Sequence, residues 1–249
     1  MRAYGEPIIE ITHLQKSFGD NAVLTDFNLT VRQGENVVVL GKSGCGKSVL
    51  IKCIVGLIKY DAGSIKLFGK EVSSLKQHEL DTMRARIGFV FQSSALYDSM
   101  TVRENLEFPL RRHGKKKSKE EVQQLIEETL EHVGLAHAIH LMPAELSGGM
   151  RKRIGLARSL VLKPELMLYD EPTTGLDPIT AEEISKLMLA MQQMYNTSSI
   201  IISHDMHCAE LTANRLVVMM DGIDYAQGTF EELQQLNDPK VHAFFLNHK

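Results

Sequence analysis

Cysteine is scarce in this chain, with only Cys45, Cys53 and Cys208 among 249 residues. Their spacing matches no metal-ligand pattern, and an odd, sparse count suits a reducing compartment better than a disulfide framework. Long apolar runs are missing too, none approaching the roughly twenty residues that cross a bilayer. Met1–Pro7 holds no apolar stretch of the signal-peptide kind. Nor is there an excess of positive charge: 28 Lys and Arg against 31 Asp and Glu leave a formal charge of −3. That balance gives no general electrostatic reason to bind nucleic acid. The expectation is a soluble, cytoplasmic chain. Apolar residues make up 43% of it, ample for a buried core, and charged residues an ordinary 24%.

The stretch that organises the rest is Gly41-Lys42-Ser43-Gly44-Cys45-Gly46-Lys47-Ser48. A glycine, four free positions and Gly-Lys-Ser form the phosphate-loop pattern. An apolar run of strand length, Val37–Leu40, precedes it, and Val49–Val55 reads as a helix after it. Glycines at such a turn let backbone N–H groups converge on phosphate oxygens, and the helix N-terminus adds partial positive charge. Lys47 would add a full charge at the β- and γ-phosphates, and Ser48 a hydroxyl ligand for Mg²⁺. The pattern implies a nucleotide site.

Ile8–Thr12 and Phe27–Val31 read as half-buried strands, and the turns Asp61-Ala62-Gly63 and Phe68-Gly69-Lys70 bracket another short strand. Leu75–Arg86 reads as a helix and Ile87–Phe91 as a strand leading into Gln92. From Ser99 to Leu162 strand-like runs disappear and helical spacing dominates, interrupted by the basic break Arg111–Lys117. The break reads as a solvated loop, with a phosphate or lipid-headgroup contact as the sharper possibility. Strand character returns at Leu166–Tyr169. Thr180–Gln193 follows as a helix, Ser199–Ile202 as a buried strand, and Leu216–Gln227 as a hairpin around Asp221-Gly222. The expected fold is α/β: a mixed sheet flanked by helices, with an N-terminal antiparallel β region and a helical insertion. We divide residues 1–249, one domain, into a core, an inserted helical subdomain at 99–162 and a helical tail at 229–249.

Phosphoryl chemistry needs a carboxylate near Mg²⁺, a group to position water, and charge for the transition state. Asp170 closes an apolar strand and Glu171 follows it, so the two can point into different parts of one site. Asp170 can hold the Mg²⁺ shell while Glu171 faces an attacking water. Gln92 and His204 each follow an apolar strand and so share a position type with Lys47. Ser147 is a natural helix N-cap, and Gly148 and Gly149 expose backbone N–H groups beside it. Two helix N-termini therefore suit phosphate, but only one belongs to a full cradle. Either both face one nucleotide within a monomer, or the second serves a partner's nucleotide.

With the phosphate loop, Gln92, Leu146–Met150, Leu166–Glu171, Gly175-Leu176-Asp177 and His204 in this order, the chain resembles the ATP-binding cassette family. The resemblance spans roughly Ile8 to Gly228. It implies that Phe18 stacks on adenine, that Gly41–Val49 hold the phosphates, and that Gln92 contacts Mg²⁺ together with Ser48 and Asp170. It implies further that Ser147, Gly148 and Gly149 close over the γ-phosphate of an opposite subunit. Asp177 would link the two sites and His204 would touch the γ-phosphate; Glu171, Lys47 and His204 would then carry the hydrolysis. The two-anion question is thereby answered by a head-to-tail homodimer sharing two ATP. Met150 stands where the family usually has glutamine, and its side chain cannot donate a hydrogen bond.

Phe91–Val102, Asn105, Phe108–Leu110, Leu141–Met150, Asp177–Thr180 and the tail from Asp238 look like the ATPases of the Mla/MCE lipid transporters. That similarity implies phospholipid movement between inner and outer membranes. It also implies a membrane permease docked after Gln92, an MCE-type substrate-binding protein, and a place on the cytoplasmic face of the inner membrane. A transport ATPase for another small solute is the alternative. A soluble cassette acting on nucleic acid or ribosomes is disfavoured, because the chain lacks coiled coils, zinc motifs and a second cassette.

Overall fold

The computed structural model describes residues 5–113 and 117–246. Met1–Tyr4, the Gly114-Lys115-Lys116 centre of the basic break, and the last three residues of the 229–249 tail lie outside the described residues. In chain order the strands and helices begin with β1 (Pro7–Phe18), β2 (Asn21–Arg32), β3 (Asn36–Leu40), α1 (Lys47–Ile54), β4 (Ala62–Leu67) and β5 (Lys70–Glu71). Next come α2 (Gln77–Arg84), β6 (Ile87–Val90), α3 (Val102–His113), α4 (Lys119–His132), α5 (Gly148–Leu160) and β7 (Leu166–Asp170). The chain finishes with α6 (Pro178–Tyr195), β8 (Ser198–Ser203), α7 (Met206–Thr212), β9 (Arg215–Met220), β10 (Ile223–Gly228), α8 (Phe230–Gln235) and α9 (Pro239–Phe245).

The strands order as β5-β4-β1-β2-β10-β9-β3-β8-β7-β6. From β9 to β6 every pairing is parallel, whereas β1, β2, β4 and β5 pair antiparallel. This is the α/β fold with a mixed sheet and an N-terminal β region. β3 is buried along its whole length, as a central parallel strand covered on both faces must be. Its four apolar residues Val37–Leu40 contribute about 1.5–3 kcal/mol each by burial.

β1 and β2 are each 12 residues long, far beyond the five-residue runs that their alternation suggests. The register between them shifts at Ile11/Leu14 and again at Leu14/Lys16, so the period of two falls out of phase and hides the strand from pattern reading. The strand bends at His13, whose φ is 50°. Opposite it a Cβ on Gly63 would fall 2.4 Å from the His13 carbonyl oxygen, so only glycine fits there.

One apolar cluster joins the antiparallel strands, α1 and one face of the parallel strands. A second packs α5, α6, α7, α8 and α9 on the other face. α3, α4 and α5 enclose a third cluster of their own around Leu106, Ile126, Leu130 and Ile154. Because the central strands run parallel, β3, β6, β7 and β8 all end at one edge, where open α/β sheets bind ligands. That edge places the site.

Candidate active site

Thirteen residues line a cavity of about 550 Å³ at this edge: Phe18, Val23, Ser43, Gly44, Gly46, Lys47, Ser48, Val49, Gln92, Asp170, Glu171, Thr174 and His204. Sequence separation is large, yet strands, the loops that follow them and the first turn of α1 carry all of them to the rim.

The phosphate loop leaves β3 and turns through Gly44 (φ 82°) and Gly46 (φ 105°) into α1. A Cβ on Gly46 would fall 2.9 Å from Val23 Cγ1 and 3.1 Å from the Val23 carbonyl oxygen, so conformation and space both require glycine there. Lys47 is buried, and its ammonium donates to the carbonyls of Gly41 (2.7 Å) and Lys42 (3.1 Å). The lysine thus folds back over its own loop. Gly41, Lys42 and Cys45 shape the loop from behind without lining the cavity.

Ser48 Oγ lies 3.4 Å from both carboxylate oxygens of Asp170. Burial, and then the charge of neighbouring Glu171, push the Asp170 carboxyl above its ordinary range; the Ser48 hydroxyl opposes this. An oxygen-lined gap beside two neighbouring carboxylates fits a hard divalent cation. Among the described residues no cluster of three or more His, Cys, Asp or Glu forms a protein-only cage.

Glu171 has a φ of 52°, a left-handed conformation that costs a non-glycine residue about 1–2 kcal/mol. Its N–H donates to the Ile202 carbonyl at 2.9 Å, which ties the turn to β8. Its carboxylate accepts from His204 Nδ1 at 2.6 Å and from Thr174 Oγ1 at 3.2 Å. Phe18 closes the far side and is 49% exposed; Lys16 Nζ lies 5.2 Å from its ring centroid, and the exposed part of the ring suits stacking. Val23 and Thr174 were not singled out by sequence; Thr174 lies in the loop after Pro172, and nothing in the local pattern of Val23 marks it.

Four expected residues, Ser147, Gly148, Gly149 and Asp177, lie elsewhere. Ser147 caps α5, its Oγ accepting from the Met150 N–H at 3.2 Å, and neither it nor Gly148 nor Gly149 lines the cavity. Asp177 caps α6, accepting from the N–H (3.0 Å) and hydroxyl (2.6 Å) of Thr180. Those bonds hold its carboxyl below the usual range. The Met150 side chain packs against the helical cluster of α3, α4 and α5.

A phosphate loop facing a carboxylate pair across parallel strand ends defines a P-loop nucleotide-binding ATPase. The ABC transporter family model matches residues 24–174, and the chain belongs to that family of ATP-binding, ATP-hydrolysing cassettes. The chain is 38% identical over 236 residues to the "Probable ribonucleotide transport ATP-binding protein mkl" of Mycobacterium tuberculosis (strain ATCC 25618 / H37Rv). That alignment covers 95% of this chain and 66% of the relative, so the chain spans about two-thirds of that protein's length. The chain is 37% identical to the "Intermembrane phospholipid transport system ATP-binding protein MlaF" of Haemophilus influenzae, with 95% and 89% covered. A solved structure of an ATP-binding cassette, a dimer in a post-hydrolysis state bound to ADP and Pi, superposes with a TM-score of 0.80. It is 29% identical, with 89% of this chain and 98% of that chain covered.

Proposed function

We propose that two copies of this chain close head to tail around two Mg-ATP and that their hydrolysis drives a membrane transporter. The observation that carries this reading is that Lys47, Ser48, Asp170, Glu171 and His204 line one cavity while Ser147, Gly148 and Gly149 stand outside it. The cavity holds one half of a site, and the second half belongs to a partner copy. The dimer of the solved relative supports the arrangement.

Phe18 stacks on the base. The loop N–H groups and Lys47 bind phosphate oxygens once the lysine leaves the Gly41 and Lys42 carbonyls. Mg²⁺, when bound, offsets phosphate charge, with Ser48, Asp170 and Gln92 as its protein partners. Glu171 takes the proton of the attacking water after His204 swings to the γ-phosphate and releases its carboxylate. Ser147 and the N–H groups of Gly148 and Gly149 complete the site from the partner copy, and Asp177 lies at the seam. The test is Mg-dependent ATP hydrolysis by the purified chain with its membrane partners.

The cargo reading with the wider support is a small solute whose class differs among relatives. Proteins of nearly equal identity carry names for ribonucleotide and for phospholipid transport. The narrower reading, phospholipid movement between inner and outer membranes with a permease and an MCE-type protein, is supported by the Haemophilus relative and by residues 91–110 and 141–150. In either case the chain sits peripherally on the cytoplasmic face of the inner membrane, residues 99–162 form a helical subdomain, and Phe91 and Tyr97 dock the permease. None of the described helices is long and apolar enough to cross a membrane. Purification with the permease and mass spectrometry of the retained molecule separates the readings: a glycerophospholipid supports the narrower one, and a polar solute removes it.

A further inference from the structure

α5 grips the main chain at the end of β6 and in the segment after it. Lys152 Nζ donates to the Gln92 carbonyl at 2.5 Å. Arg158 donates to the carbonyls of Ala95 (2.5 Å) and Ser94 (3.4 Å), and Ser159 Oγ donates to that of Phe89 at 2.8 Å. Between these anchors a Cβ on Gly155 would sit 3.1 Å from Ser94 Cβ and 3.2 Å from the Ser94 carbonyl oxygen. The helix therefore lies directly on the segment. Ser94 and Ala95 are held at φ 62° and 45°, conformations the chain adopts here while their carbonyls face the arginine.

Lys152 stands apart from the other anchors. Its residue is 7% exposed, and a buried ammonium persists only where hydrogen bonds and charge compensate its lost hydration. Burial lowers its pKa, while the field of Glu171 favours its charged form. Its acceptor is the main chain of the residue whose side chain lines the cavity. It also lies five residues after the Ser147 cap, about 7 Å along the same helix.

We propose that Lys152 is a positioning residue for ATP hydrolysis: by holding the Gln92 carbonyl, it makes the aim of the Gln92 side chain follow the position of α5. The end of α5 that meets a partner's nucleotide and the glutamine in the chain's own cavity then move as one piece. Completion of one site is thereby registered in the other. The proposal rests on the ATPase reading and adds to it a residue outside the cavity.

The test is steady-state Mg-ATP hydrolysis by the full chain with its membrane partners, with binding of a fluorescent ATP analogue measured in parallel. Lys152→Met keeps the length of the side chain and removes the donor. It is expected to lower kcat about tenfold, the weaker end of what a charged hydrogen bond contributes, with nucleotide affinity within about twofold. Lys152→Arg, which keeps a donor, is expected to recover most of the rate. Gln92→Ala combined with Lys152→Met is expected to lose no more than the larger single loss, because one residue acts through the other.

A Lys152→Met rate within about twofold of wild type, or losses that multiply in the double variant, overturns the role. So does an equal loss in Lys152→Arg, which marks a packing effect. If Lys152→Met does not fold, Lys152→Leu, which also lacks a donor, is read by the same criteria. A wild-type chain without Mg-ATP hydrolysis fails the ATPase reading first and takes this proposal with it. A hydrolysing wild type with an indifferent Lys152→Met overturns this proposal alone.

Discussion

Glu171 Oε2 and His204 Nδ1 are 2.6 Å apart, so the carboxylate proposed to activate water is held by the imidazole proposed to meet the γ-phosphate. One contact cannot serve both states. In the proposed mechanism, closing the site makes His204 let go, and the release frees a base at the moment a phosphate is in place to be attacked. Glu171→Gln keeps the shape and removes the base. Turnover should fall at least about 100-fold, while ATP affinity and ATP-driven dimers on size exclusion persist. Near-normal hydrolysis in that variant would remove Glu171 from the role.

Asp170 predicts a conflict between stability and activity. Its folded pKa is raised, by burial first and Glu171 second. Its favourable contribution is therefore fully present at pH below the ordinary carboxylate range and is lost as pH rises through the raised value. Asp170→Asn should melt with wild type in acid and above it near neutral pH, by about 2–4 °C for each kcal/mol relieved. The same variant should lose Mg²⁺-dependent hydrolysis. A melting temperature lower than wild type at neutral pH contradicts the argument.

Ser147 separates the monomer from the dimer. Ser147→Ala removes a cap worth about 1 kcal/mol and leaves the cavity lining untouched. ATP binding by the monomer should be unchanged while hydrolysis falls. Mixing Ser147→Ala with Lys47→Ala chains should restore activity, because a head-to-tail pair then contains one site free of both changes. Failure of the mixture to exceed either variant would count against shared sites.

Gly46 is expected to be intolerant. Gly46→Ala meets Val23 at 2.9 Å and keeps a φ of 105°, so the turn into α1 must shift. Nucleotide affinity should fall about tenfold or more, since the loop N–H groups lose their convergence. Gly19→Ala, at a φ of 59° with nothing within 4 Å, should cost about 1 kcal/mol of stability and no affinity. Isothermal titration of both variants with ATP decides this.

Much of this protein is legible in its sequence because the signals are local. Val37–Leu40 announces a buried strand by composition, Gly-Lys-Ser announces a phosphate turn by backbone freedom, and Ser147 announces a helix start by its side-chain oxygen. Those calculations need only a few neighbouring residues. The 12-residue lengths of β1 and β2 were hidden because their register shifts, and the alternation that identifies a strand breaks wherever it bulges.

The tertiary structure alone decided which of these pieces meet. Ser48 and Asp170 are 122 residues apart in sequence and 3.4 Å apart in space, because parallel strands return the chain repeatedly to one edge. The same packing aims Glu171 at His204 and lays Lys152 against the Gln92 carbonyl. A sequence states which side chains can bind phosphate. Only the order of strands in the sheet, set by burial on both faces, states which of them share a site and which are left for a second copy.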